Sequence, residues 1–168
     1  IWWIPFGLIM AEVWRSNTKK TAMIEISKQE FKSFEDKKRA KFINSLSGYK
    51  SSNLIGTHDN NGTTNLSIVS SVFHLGASPA LIGFIIRPNT ARRDTLENIK
   101  QTGCFTINHV NSKIIKQSHQ TSARYDRSES EFKKCRLKEE YLGEFSAPFV
   151  SESNTHLISL EDGFIHVS

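Results

Sequence analysis

Apolar and polar positions follow two different periods along the chain, and the change comes near Tyr49. Before it, Ser27-Lys28-Gln29-Glu30 has the form of a capping box, in which a serine and a glutamate each satisfy the other's backbone N–H. Phe31, Phe34, Phe42, Ile43 and Leu46 then fall roughly on one helical face, with Lys, Asp and Glu elsewhere. This predicts one helix ending near Ser47-Gly48, with the DKKRAK run as its solvated face. From Tyr49 the pattern becomes that of strands. SSNLIGT reads as a short strand and His58–Gly62 as a turn, where Asn61-Gly62 is the strongest hairpin signal in the chain. The β-branched stretch Thr64–Phe73 (TNLSIVSSVF) is the returning strand. After the break at Ser78-Pro79, the apolar run ALIGFIIRP predicts a buried strand ending at Arg87-Pro88.

The second half continues in short elements. Asp94–Gly103 predicts a helix with a second capping box, Asp94 with Glu97, and Gly103 just past its end. CFTINHV is a strand, and a helix follows from about Ser112 to Ser118. After the loop QTSARYDR, Ser128 and Glu131 cap one more short helix. Beyond Ala147-Pro148, THLISLED and FIHVS read as strands joined through Asp162-Gly163. The fold class is α+β, mainly β, with a small barrel or strongly curled sheet as the most economical core.

Composition narrows the function classes. A chain of 168 residues with 38% hydrophobic and 23% charged residues is globular. At this length about 70% of the unfolded surface can be buried, so neither a disulfide nor a metal is needed for stability. Lys and Arg number 22 against 17 Asp and Glu, a net charge of +5 that favours anionic ligands. The two cysteines, Cys104 and Cys135, form no CxxC pair, which points to a reducing, cytoplasmic setting. The N-terminal run IWWIPFGLIMA is too short to span a bilayer. It also lacks the basic segment of a signal peptide. Residues 1–22 are therefore expected to lie outside the native fold, as upstream translation or an expression remnant, with a membrane-surface anchor as the alternative. Residues 23–168 are expected to form the domain, without a membrane partner.

Several chemistries are not supported. There is no GxGxxG, P-loop, HExxH or GxSxG. The six histidines, His58, His74, His109, His119, His156 and His166, show no ligand spacing, so no metal site is expected. His74 and His109, near strand ends, read as ordinary hydrogen-bonded or surface histidines. Most of the 11 phenylalanines should be core. No strand interleaves aromatic and basic residues as an RNA-binding sheet would, so nucleic acid is not an expected partner.

Two segments remain. In Thr63–Ser71, small polar side chains recur along an apolar strand, with Asn65, Ser67, Val69 and Ser71 on one face and Leu66, Ile68 and Ser70 on the other. Such a face admits a flat ligand close to the backbone; it is equally the pattern of a strand with one solvated face. In Arg87–Thr95, the arginines Arg87, Arg92 and Arg93 lie in a loop feeding a helix N-terminus. Free N–H groups and bidentate guanidinium donors suit a phosphate there, and a merely solvated basic loop is the other reading.

At these residues the stretch from Phe42 to Ser153 resembles the flavin reductase-like, FMN-binding split-barrel proteins, in a bacterial branch. The matching pieces are Phe42–Ser51, Asn53–Thr57, Thr64–Gly76, Gly83–Pro88, Thr95–His109 and His119–Tyr125, in that order. The resemblance implies a Greek-key split barrel that forms a homodimer, with FMN near the dimer interface. By position, it implies that Asn65, Leu66, Ser67, Ser70 and Ser71 contact the ring and ribityl chain. Arg87, Arg92, Arg93 and Thr95 would surround the phosphate, with Ser122 and Arg124 as further candidates. It implies no catalytic acid or base that can be placed here, which suits chemistry carried by the flavin itself. The expected activity is electron transfer from NADH or NADPH through FMN to free flavin, oxygen or a small acceptor. A non-enzymatic FMN carrier and a basic nucleic-acid-binding barrel are the rival readings. Family members continue with further strands, so either a truncated chain or a reduced barrel is expected at the C-terminus.

Overall fold

A computed structural model describes residues 26–78, 80–86 and 93–158. Residues 1–22, Arg87, Arg92 and the FIHVS strand of the sequence reading lie outside these. The chain divides into two units at Tyr49 and Lys50.

In the first unit, α1 (Lys28–Ser33) is capped as expected, with the Glu30 N–H donating to Ser27 Oγ at 3.1 Å. The single helix predicted from the apolar spacing is two. Phe34 and Glu35 adopt extended ψ angles of 137° and 147°, and α2 (Asp36–Leu46) starts after them. The corner lets Phe31, Phe34 and Phe42 pack on one another with centroids 5.8–6.0 Å apart. Ile43 and Leu46 stay exposed, so the apolar stripe is shorter than its spacing suggests.

The second unit holds every described strand. β1 (Asn53–His58), β2 (Thr64–Val69), β5 (Thr106–His109) and β8 (His156–Ile158) form an antiparallel sheet in the order β2-β1-β5-β8. The β1–β2 turn is built by Asp59, whose Oδ1 accepts the N–H groups of Asn61 (2.9 Å) and Thr63 (2.8 Å). Gly62 there has φ +81°, a conformation that favours glycine. The predicted strand Thr64–Phe73 is broken at Ser70-Ser71. Its second half becomes β3 (Val72–Ala77), which pairs with β4 (Ala80–Phe84) in a separate sheet. The Ser71 hydroxyl fixes this corner, donating to the Ile85 carbonyl at 2.8 Å and accepting the Ile85 N–H at 3.3 Å.

Strand alternation sends neighbouring residues to opposite faces of the four-stranded sheet. Leu54 and Leu66 join Ile114, Phe132, Cys135, Leu137 and Val150 on one face. Ile55 and Ile107 join Ile99 and Phe105 on the other, with Val69, Val72 and Phe84 packed against them. The central strand β1 is therefore buried from Asn53 to Thr57. The buried amide of Asn108 is paired across the elements. Asn108 Nδ2 donates to the Leu54 carbonyl (3.1 Å) and its Oδ1 accepts the Val150 N–H (3.0 Å).

Other expectations change in detail. β4 is not buried: Ile82 within it is 50% exposed and Ile85 just after it 59%, while Phe84 at its end packs against Phe105. The helix α3 (Asp94–Thr102) ends at Gly103, with φ +70°, as predicted, but its N-cap is Arg93 and no capping box forms. Asp94 is the first helical residue instead. α4 is Ile115–Gln120, three residues later than expected, because Asn111 makes a turn before it by accepting the Lys113 N–H at 2.9 Å. α5 (Glu131–Cys135) has Ser130 at its N-cap, not Ser128. A short pair, β6 (Glu139–Glu140) with β7 (Phe149–Val150), has no counterpart in the sequence reading. Among the described residues the three sheets do not close into one barrel. None of the described helices is long and apolar enough to cross a membrane.

Candidate functional site

The polar face of β2 is turned toward α3. Asn65 Nδ2 donates to Thr95 Oγ1 at 3.0 Å and to Thr57 Oγ1 at 3.2 Å. Asn98, one turn further along α3, donates to the same Thr57 oxygen at 3.2 Å. This amide–hydroxyl cluster joins β1, β2 and the first turns of α3 into one hydrogen-bonded block. Two residues suggested separately by the sequence, Asn65 and Thr95, are thus neighbours in space. Ser67 lies two residues along the same face, half-buried, and Arg93 stands exposed at the helix start.

The remaining candidates are placed differently. Leu66 is fully buried in the core, and its N–H donates to Glu131 Oε2 at 3.0 Å, so neither is available to a ligand. The Ser71 hydroxyl is occupied at the sheet corner. Ser70, beside it, is exposed. Ser122 and Arg124 are exposed in the loop after α4, and the Ser122 hydroxyl donates to the His119 carbonyl at 2.7 Å. Arg87 and Arg92 lie outside the described residues.

As site residues, Thr57, Asn98 and Arg127 carry no signal in the sequence, and Glu131 enters there only as a helix cap. Arg127 Nη1 contacts Glu97 at 2.8 Å and Asp94 at 3.8 Å, tying the loop after α4 to the first turn of α3. Only the composition of that loop was visible in the sequence, and its partner lies 30 residues away. A shallow cleft runs between the β1–β2 turn, α3 and the loop before α5. It is lined by five carboxylates (Asp59, Asp94, Asp126, Glu129 and Glu131) with Arg127 as the cation among them. Burial pushes the Glu131 carboxyl up from its usual range, with the Asp94 charge adding to it and the Leu66 N–H opposing. The net negative lining disfavours an anion there. Among the described residues no group of three His, Cys, Asp or Glu could hold a metal ion.

Residues 47–158 match the flavin reductase like domain family. That span is most of the strand-bearing unit and contains the Asn65–Thr95 block. The chain belongs to this family. A crystal structure from Shewanella frigidimarina, of a protein assigned to the flavin reductases with a split-barrel domain, is 59% identical. It covers 80% of this chain and 67% of that one, with a TM-score of 0.76. Component B of nitrilotriacetate monooxygenase from Bacillus cereus shares the fold at 21% identity and a TM-score of 0.70, over 83% of this chain and 68% of that one. Flavoredoxin of Desulfovibrio vulgaris does so at 20% identity and 0.58, over 65% and 58%. No curated protein matches. Against flavin reductase-like function, the donor set fits FMN. Ser67 and Ser70 offer hydroxyls for the ring or ribityl chain, and the exposed Arg93 at a helix N-terminus offers a guanidinium for the phosphate.

Proposed function

We propose that the protein binds FMN and works as an NAD(P)H-dependent oxidoreductase of the flavin reductase type. The observation that carries this is the Asn65–Thr95 contact, which sets the small polar face of β2 beside the start of α3. Bound FMN supplies the redox chemistry, from NADH or NADPH to free flavin, oxygen or a small acceptor. The residues here bind and orient it: Ser67 on that face and Ser70 at the corner just past the end of β2 toward the ring and ribityl chain, and Arg93 with Arg92 and Arg87 around the phosphate. We further infer a homodimer with a Greek-key split barrel in each copy. Phe73 (40% exposed) and Leu75 (51% exposed) lie over Gly83 as an apolar face that a second copy would cover. The free Cys104 and Cys135 accord with a reducing, cytoplasmic setting. The test is titration with FMN followed by flavin absorbance and fluorescence. Binding at micromolar or lower concentration supports the reading, and its absence overturns it.

A further inference from the structure

β2 is the outermost strand of its sheet among the described residues, so β1 holds it along one edge only. Its other edge meets α5. The Leu66 N–H points away from β1 and donates to Glu131 Oε2 at 3.0 Å. Ser130, the residue before Glu131, places its Oγ 2.6 Å from Oγ1 of Thr64, two residues before Leu66, and Thr64 itself donates to Glu139 Oε1 at 2.7 Å. Asn65 and Ser67 flank Leu66 and project from the opposite face of the strand.

We propose that Glu131 is a positioning residue for the flavin face: its carboxylate grips the outer edge of β2 through Leu66 and so sets where Asn65 and Ser67 stand. This rests on the flavin reading above. Hydrogen bonds from backbone N–H to an ionised carboxylate are roughly twice as strong as neutral ones, so the grip is firmest when Glu131 is charged. The surroundings oppose that charge. Asp59, Asp94, Asp126 and Glu129 line the same cleft, Glu139 lies behind Thr64, and Arg127 is engaged with Asp94 and Glu97. Within α5, the Cys135 thiol also feels the Glu131 charge.

The consequence is a split between stability and binding. The Glu131 carboxyl is raised in the folded protein, chiefly by burial. Its contribution to stability is therefore full below the ordinary glutamate range and is lost as pH rises through the raised value. Its grip on β2 strengthens over that same rise. A residue that was only structural would move stability and flavin affinity together.

The experiment is FMN titration of the wild type, Glu131→Gln and Glu131→Ala from about pH 8 to about pH 5, with a thermal melt at each pH. At neutral pH, Glu131→Ala should weaken FMN by about ten- to a hundredfold, the effect of one charged hydrogen bond. Glu131→Gln keeps an acceptor and should recover all but a few-fold of that loss. FMN's own phosphate titrates in this range and cancels in the ratio of wild-type to Gln affinities. That ratio should fall toward one on acidification, while the Gln variant melts at or above the wild-type temperature at about pH 8. The proposal is overturned if the ratio does not change with pH, or if affinity simply follows melting temperature across the proteins. Should the Ala variant fail to fold, the wild type and Gln pair decides alone. A wild type that binds no FMN overturns the functional reading and this inference together. A wild type that binds FMN, with variants indistinguishable from it, overturns this inference only.

Discussion

Gly56 sits in the middle of β1, opposite Leu66 on one side and Thr106 on the other. A methyl group there would stand 2.2 Å from the Pro148 carbonyl oxygen and 2.6 Å from Thr106 Oγ1. These two atoms are themselves joined, the Thr106 hydroxyl donating to the Pro148 carbonyl at 2.7 Å. Gly56→Ala therefore drives a side chain into a buried hydrogen bond. One of the obstructing atoms is backbone, so no flexible tip can swing aside. Overpacking of this kind costs about 1–3 kcal/mol. Losing the hydrogen bond and leaving the buried carbonyl unpaired costs about 1–3 kcal/mol more. Together they remove a large part of a stability of about 5–15 kcal/mol. At about 2–4 °C per kcal/mol for a chain of this size, the melting temperature should fall by at least about 4 °C. Urea unfolding, read by far-UV circular dichroism, should show a lower midpoint at an unchanged slope. Gly62→Ala is the comparison: its φ is +81° but nothing lies within 4 Å, so it carries backbone strain alone, about 1–2 kcal/mol. A Gly56→Ala protein that melts within about 2 °C of the wild type would refute the packing described around β1, β5 and Pro148.

Three further outcomes are expected. Replacing Arg92 and Arg93 with Ala should weaken FMN by about ten- to a hundredfold per lost contact and leave riboflavin, which lacks the phosphate, unchanged; equal losses for both would give these arginines a structural role. Leu75→Lys, placed on the exposed apolar face of β3 and β4, should halve the mass measured by light scattering, and an unchanged mass would remove that face from the dimer contact. Burial pushes the Cys135 thiol up from its usual range, so iodoacetamide at neutral pH should label the more accessible Cys104 first in the native protein; equal rates would contradict the packing of α5.

Much of the strand framework was legible because its signals are local. Asn61-Gly62 marks its hairpin by turn chemistry, and Gly103 marks the end of α3 by its left-handed backbone. The break of Thr64–Phe73 was not legible, since nothing in the β-branched run shows that Ser71 will bond to Ile85 across a sheet corner. The exposure of β4 was hidden for a related reason: an apolar run says that its side chains avoid water, not which partner covers them. The capping box at Asp94 does not form because the helix starts one residue earlier than its pattern implies, with Arg93 as the N-cap and Asp94 already in the first turn. At the proposed site, the small polar pattern of one strand singled out Asn65 and Ser67, and Asn65 bonds to Thr95 on α3. Thr57, Asn98 and Glu131 matter through contacts between elements far apart in the chain, which no spacing encodes. Leu66 shows the converse, a residue in the right segment whose side chain and N–H are both taken up by the protein itself.

The central claim is that the block joining β2 to α3 holds FMN for reduction by a nicotinamide. The most direct measurement is the flavin absorbance of the FMN-loaded protein, without oxygen, on addition of NADH or NADPH. Bleaching within seconds to minutes by at least one of them, and recovery of colour when oxygen is admitted, is the predicted result. A protein that binds no FMN, or one whose bound FMN is bleached by dithionite but by neither nicotinamide, would contradict the account.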